Sequence, residues 1–97
     1  MGDSASAHAL EPLPLRNPRV AARVINGETM VLTPHNSVLH TLNPVATRIW
    51  QLLPEHGTLD SMVEALQAEY EASEAQLQVD VRELMGALLE RQILVER

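Results

Sequence analysis

The chain has 97 residues, which leaves room for one domain around a single hydrophobic core. Hydrophobic residues make up 45% of the chain and aromatic residues only 2%, so the composition is globular and offers almost no platform for stacking bases or cofactors. The formal net charge is −6, and both lysine and cysteine are absent from the sequence. This balance argues against polyanion binding, and it excludes disulfides, thiolate nucleophiles and lysine-based catalysis.

Residues 1–18 are predicted to form a flexible N-terminal tail, because alanine, serine and three prolines interrupt any periodic pattern there. No apolar run in the chain reaches the roughly 20 residues that are needed to span a bilayer. The N-terminus also lacks the basic start and apolar stretch of a secretory signal. We therefore expect a cytoplasmic protein that makes no contact with a membrane.

Three short strands are predicted after the tail. The segments 20–25 and 28–33 flank Asn26-Gly27, a dipeptide that is typical of a tight β-hairpin turn. A turn then leads to Val38–Leu42, which is rich in apolar and β-branched residues. The pattern predicts a three-stranded antiparallel meander.

Three helices are predicted to follow the sheet. Asn43 and Pro44 suit the N-cap and the first position of a helix, and Thr58 suits the N-cap of a second one. Ser73 begins a sequence with the spacing of a capping box, and the third helix runs to about Arg91. This order predicts an α+β fold, a winged-helix-like domain in which a three-stranded antiparallel sheet precedes three helices.

Candidate catalytic and metal-ligating residues do not cluster in the sequence. The histidines fall in the tail, a turn, a strand and a loop, whereas a metal site needs three or four convergent ligands. They are His8, His35, His40 and His56. The acidic residues between positions 55 and 80 follow helical spacing, which is typical of a solvated helix face. We therefore expect no enzyme activity, no metal and no cofactor.

The helix-turn-helix order makes a DNA-binding regulator an alternative. The third predicted helix, residues 73–91, carries four acidic and two basic side chains, a net charge of −2. Base-specific contacts in DNA depend on a background of phosphate neutralisation that such a helix lacks. The charge therefore argues against nucleic acid as a partner.

The third predicted helix carries a wide apolar stripe centred on Val81. At about 100° per residue the stripe spans about 140°, more than a core-facing helix needs. Its flanking apolar residues are Leu77, Leu84 and Leu88 on one side and Met85 and Leu89 on the other. Two alternatives stay open: either all of these residues are buried, or Met85 and Leu89 line an open groove that Gln78 and Arg82 flank.

The third predicted strand, Val38–Leu42, is an outer strand of the meander, so one row of its backbone N–H and C=O groups has no partner. An extended peptide can add to such an edge as a further strand and place apolar side chains in an adjacent groove. The same edge permits pairing between two copies of the chain. Sequence alone therefore allows either a monomer or a homodimer.

The segment from Val38 to Leu53 resembles the central signature of PqqD-like proteins. Its most specific part begins with Leu42-Asn43 and ends in Ile49-Trp50-x-Leu-Leu, and the resemblance extends over about residues 18–95. It implies that residues 19–97 form a PqqD-like domain. Such domains recognise the precursors of ribosomally synthesised, post-translationally modified peptides (RiPPs).

In such proteins the leader segment of the precursor peptide adds to the third strand and packs against the third helix. The resemblance thus implies the following peptide-binding residues: Val38, Leu39, His40, Thr41, Leu42, Gln78, Val81, Arg82, Met85 and Leu89. It implies a stand-alone peptide chaperone that performs no chemistry itself. The domain would present the leader peptide to a modifying enzyme, typically a radical S-adenosylmethionine enzyme, a cyclodehydratase or a leader protease. A role in pyrroloquinoline quinone synthesis and a purely structural subunit of an enzyme stay as alternatives.

Overall fold

The computed structural model describes residues 11–97, which form two small sheets and three helices. The main sheet is antiparallel, with strands in the order β2 (Ala21–Ile25), β3 (Glu28–Thr33) and β4 (Val38–Leu42). The helices are α1 (Pro44–Leu52), α2 (Leu59–Gln67) and α3 (Glu74–Glu90). Two short strands, β1 (Leu15–Arg16) and β5 (Leu94–Val95), pair with each other in antiparallel fashion. The predicted α+β fold, with a three-stranded sheet before three helices, is confirmed.

Local chemistry explains where the elements begin and end. Asn26 and Gly27 both have positive φ angles, 52° and 80°, as a two-residue hairpin turn requires. The side chains of Asn43, Thr58 and Ser73 each accept a hydrogen bond from a backbone N–H in the first turn of the helix that follows. The predicted turn and the three predicted N-caps are therefore confirmed.

β3, the middle strand of the sheet, is joined to α1 through the side-chain hydroxyl group of Thr47. The backbone N–H and the side-chain hydroxyl of Thr29 donate to Thr47 Oγ1 at 2.8 and 2.9 Å. Thr47 Oγ1 in turn donates to the carbonyl oxygen of Leu42 at 3.1 Å. All three bonds are buried, so they are shielded from competing water. They fix the end of β4 relative to β3 and α1.

The hydrophobic core lies between the inner face of the sheet and the three helices. It also takes in Leu13 before β1 and the end of the chain around β5. Its fully buried side chains include the following: Val31, Leu59, Met62, Leu66, Val81, Leu88, Ile93 and Leu94. Trp50 is buried on α1, and the guanidinium of Arg16 lies 4.4 Å from the centre of its ring. Burial lowers the pKa of Arg16 from its usual value.

The segment 11–16, predicted to belong to a flexible tail, packs against the domain. The N–H of Leu13 donates to the carbonyl of Gly57, and the N–H of Leu59 donates to that of Glu11, both at 2.9 Å. The Leu13 side chain is only 2% exposed. The predicted tail over residues 1–18 is therefore wrong for this segment, because isolated apolar side chains and backbone bonds hold it without any periodic pattern. Residues 1–10 of that tail lie outside the described residues.

We predict that Leu13→Ala lowers the free energy of unfolding by about 2 kcal/mol or more, because it leaves a cavity in the core. Leu15→Ala is the matched control, since Leu15 lies two residues further along and is exposed. It should change the stability by no more than about 0.5 kcal/mol. Urea denaturation of both variants provides the measurement. Equal unfolding midpoints for Leu13→Ala and the parent protein would show that the segment is not part of the folded unit.

Candidate functional site

β4 is an edge strand of the main sheet. β3 lies on one side of it, and within residues 11–97 no strand pairs with its other side. In the described part of the segment that precedes the sheet, β1 pairs with β5 and not with this edge. Alternate N–H and C=O groups of β4 therefore face outward, in position to accept a further strand.

The inner face of β4 becomes more exposed toward the start of the strand. Leu42 is buried, His40 is half-buried and Val38 is 40% exposed. His40 Nε2 lies 3.4 Å from Thr33 Oγ1 on the neighbouring strand. An added strand would therefore meet an apolar and weakly polar surface that is open at the Val38 end.

The other edge of the sheet, β2, is less suitable for an added strand. All five of its residues are exposed, and Arg23 lies in the middle of the strand. A charged side chain on an edge strand discourages further pairing. β4, by contrast, carries no acidic, lysine or arginine side chain, and it packs against α1. The two edge strands thus differ in their charge and in their packing against α1.

The predicted peptide-binding residues of α3 differ in their burial. Val81 is fully buried and Met85 is 5% exposed, so both belong to the core. Of the two alternatives for the apolar stripe, burial holds for Met85, and Leu89 is half-buried. Val81 and Leu42 were predicted to contact peptide, but their side chains are not accessible. Leu42 could contribute only its backbone.

The Met85 side of α3 faces the chain's own N-terminal segment. Arg82, Met85 and Leu89 line a cavity of about 310 Å³ together with residues 11–14. Arg82 forms an ion pair with Glu11 at 2.7 Å, and this hydrogen-bonded contact raises the pKa of Arg82. Gln78 is half-buried and donates to Glu74 at 3.4 Å. This flank of α3 is therefore partly covered by residues of the same chain.

The opposite flank of α3 holds a residue that the sequence prediction omitted from the site. Leu84 precedes Met85 by one residue and therefore lies about 100° away around the helix, on the other side of Val81. Its side chain is half-buried and packs against the core. The helical wheel shows that Leu84 belongs to the apolar stripe of α3. It does not show which flank of the stripe is covered, because that depends on where residues 11–14 pack.

A second cavity lies between the turn that precedes β4 and the residues that follow α3. This cavity, of about 560 Å³, is lined by Pro34 and His35 in the β3–β4 turn and by Gln92 and Val95 beyond α3. Asn17 and Arg19 complete its lining. The turn that begins β4 thus lies near the C-terminal end of α3.

Other polar side chains lie on the helices and in the loops. Among residues 11–97, no three histidine or acidic side chains are grouped closely enough to hold a metal ion. Arg48 binds both carboxylate oxygens of Glu69, with a shortest distance of 2.7 Å, and these hydrogen bonds lower the pKa of Glu69. This exposed pair connects α1 to the loop after α2. In the same part of the chain, none of the helices is both long and apolar enough to cross a membrane.

Met85→Asp is predicted to unfold the protein, because an unpaired carboxylate would have to enter the core. The matched control is Val79→Asp on the same helix, where the parent side chain is exposed. The control variant should keep its helical circular dichroism and a cooperative melting transition. If Met85→Asp stays folded and loses only peptide affinity, then Met85 lines an open groove and not the core.

Comparisons with known proteins agree with this architecture. The sequence matches the family model of "Coenzyme PQQ synthesis protein D (PqqD)" over residues 28–94. A search of curated proteins finds no significant match. Among solved structures, the chain is similar to "TbiB1 in Complex with the TbiA(beta) Leader Peptide", with 28% sequence identity and a TM-score of 0.77. The similarity covers 82% of this chain and 93% of that chain. Because the family model spans the elements from β3 to the start of β5, this chain belongs to the PqqD family.

Proposed function

We propose that this protein is a recognition domain for the leader peptide of a RiPP precursor. The leader binds in extended form along the free edge of β4 and is presented to a modifying enzyme. The observation that carries this proposal is the edge itself, which no strand of residues 11–97 pairs with, which carries no acidic, lysine or arginine side chain, and which packs against α1. Similarity to TbiB1, a protein solved with a leader peptide, supports it.

The backbone of the leader supplies the part of the affinity that does not depend on sequence. Each added residue pair completes hydrogen bonds that β4 otherwise makes with water. Side chains of the leader then lie alternately on the two faces of the sheet. On the inner face they meet Val38 and His40, which the structure leaves accessible.

On α3, the proposal assigns the peptide to the Leu84 flank. The Met85 flank is partly covered by residues 11–14, which compete with a peptide for the same surface. Pro34 and His35 of the β3–β4 turn share a cavity with Gln92 and Val95, which follow α3, and this supports a site that runs from β4 toward α3. The proposed site therefore consists of Val38, Leu39, His40 and Thr41, the Leu42 backbone and Leu84. Gln78, Val81, Arg82, Met85 and Leu89 do not belong to this revised site.

The proposed role is binding without catalysis. The modifying enzyme, which is of the radical S-adenosylmethionine, cyclodehydratase or leader-protease type, carries out the chemistry. Since a ribosomally made precursor is available where it is translated, we place this step in the cytoplasm. Residues 19–97 together with the packed segment 11–16 form the recognition domain.

Coenzyme PQQ synthesis is the second candidate role. The family to which the chain belongs is named for this synthesis, which favours the role. Both roles use the same edge of β4, and they differ only in which precursor peptide is bound. Affinity for the precursor of PQQ, measured beside that for other leaders, separates them.

A matched pair of lysine substitutions tests the proposed site. Thr41→Lys places a charge on the edge of β4, and Ala21→Lys places the same charge on the opposite edge, where the parent residue is also exposed. Charge on an edge strand opposes strand addition. We predict that Thr41→Lys weakens peptide binding about tenfold or more, whereas Ala21→Lys changes it less than about twofold.

The probes are the TbiA(beta) leader peptide and peptides selected from a random phage-displayed library, with affinities from fluorescence anisotropy. Circular dichroism establishes that both variants are folded. The proposal fails if no peptide binds, or if the two variants weaken binding equally.

A further inference from the structure

We propose that the outer face of the sheet takes part in selecting the peptide. Leu39 receives an apolar side chain of the bound strand, so the peptides that bind carry two consecutive apolar residues. One of these residues contacts each face of the sheet. This inference rests on the proposed function, because it assumes that a peptide adds to β4.

The outer face carries an apolar row that runs across all three strands. Ala21 is the cross-strand partner of Leu32, and Leu32 is the partner of Leu39. The row ends at the free edge of β4 with Leu39, which is 59% exposed and the most exposed of the large hydrophobic side chains in the described chain. A fourth strand would therefore extend an apolar row that already exists.

The distances across a sheet bring the new side chain into contact with Leu39. Residues that lie directly opposite each other on neighbouring antiparallel strands have Cβ atoms about 4.5–5.5 Å apart. An apolar side chain at this position buries part of Leu39 and of itself. A charged side chain there would lose hydration without gaining a partner, since Leu32 and Ala21 continue the row.

The neighbouring residues of the peptide point to the other face, because side chains alternate along a strand. There they lie beside Val38 on one side and His40 on the other. Val38 is 40% exposed and offers a second apolar contact, whereas the half-buried His40 offers a polar one. The residue that faces Leu39 and the adjacent residue that faces Val38 are therefore both expected to be apolar.

Without a bound peptide, the exposed Leu39 side chain favours association with other chains. An uncharged edge strand with an apolar side chain on its open face invites pairing with other chains. On this face, the charged side chain of Arg23 lies on the far strand β2 and in the next row, opposite Met30. A bound peptide strand covers the Leu39 side chain and forms hydrogen bonds with the free backbone groups of β4. Both contacts prevent this edge from pairing with other chains.

Leu39→Thr tests the inference, and Ile25→Thr is its matched control. Threonine keeps a high preference for strand conformation, so β4 stays intact while the apolar contact is lost. Ile25 is half exposed on the same face but lies on β2, two strands away from the edge in question. With a peptide selected from a random phage-displayed library, Leu39→Thr should weaken binding about three- to fivefold and Ile25→Thr should leave it unchanged.

The selected peptides supply a second readout. Replacing the outward-facing apolar residue of a peptide with alanine should weaken its binding to the parent protein but not further weaken its binding to Leu39→Thr, since the contact is already absent. The aligned peptides should also share a pair of adjacent apolar residues.

The outcomes separate this inference from the proposed function. If binding depends on Thr41 but not on Leu39, the inference is overturned while the proposed function stands. If no selected peptide depends on the β4 edge, both fail. If light scattering shows a dimer that peptide does not dissociate and that Leu39→Thr disrupts, then a second copy occupies the edge, and the inference is overturned as well.

Discussion

The unsatisfied backbone of one strand edge is the constraint on which the rest of this structure depends. No strand of residues 11–97 pairs with the open side of β4, so its N–H and C=O groups need partners outside this part of the chain. The strand that carries these groups is held firmly at its end, because the Thr47 hydroxyl bonds to both Thr29 and the Leu42 carbonyl. An edge that is fixed in this way loses little conformational entropy when a peptide pairs with it. The absence of an acidic, lysine or arginine side chain from β4 leaves the edge open to such pairing.

The N-terminal segment gives α3 two unlike flanks. On one flank, Glu11 and Leu13 pack beside Arg82 and Met85, so this surface serves the fold. On the other flank, Leu84 is half-buried and packs against the core, and it does not line the cavity beside residues 11–14. The apolar stripe of α3 thus has one margin beside the N-terminal segment and one margin away from it. The proposed function assigns the peptide to the second margin.

Local rules of sequence predicted most of the fold and only part of the candidate site. The Asn26-Gly27 turn and the capping side chains act within a few residues, so their outcome can be predicted without knowing the tertiary structure. The packing of Leu13 could not be predicted in this way, because its partner Gly57 is distant in sequence. The burial of Met85 could not be predicted for the same reason, since burial on a helix flank depends on which segment covers it. The family resemblance drew attention to β4, and the strand order shows that its edge is unpaired within the described chain.

Hydrogen exchange of the amides in the two edge strands, followed by NMR in the presence and absence of a binding peptide, tests the central claim most directly. In each edge strand, alternate N–H groups point away from β3 and exchange freely unless another strand protects them. Peptide binding at β4 predicts that the outward amides of Val38–Leu42 slow by about tenfold or more, while those of Ala21–Ile25 keep their rates. Protection that arises in β2, or in the helices alone, would contradict strand addition at β4.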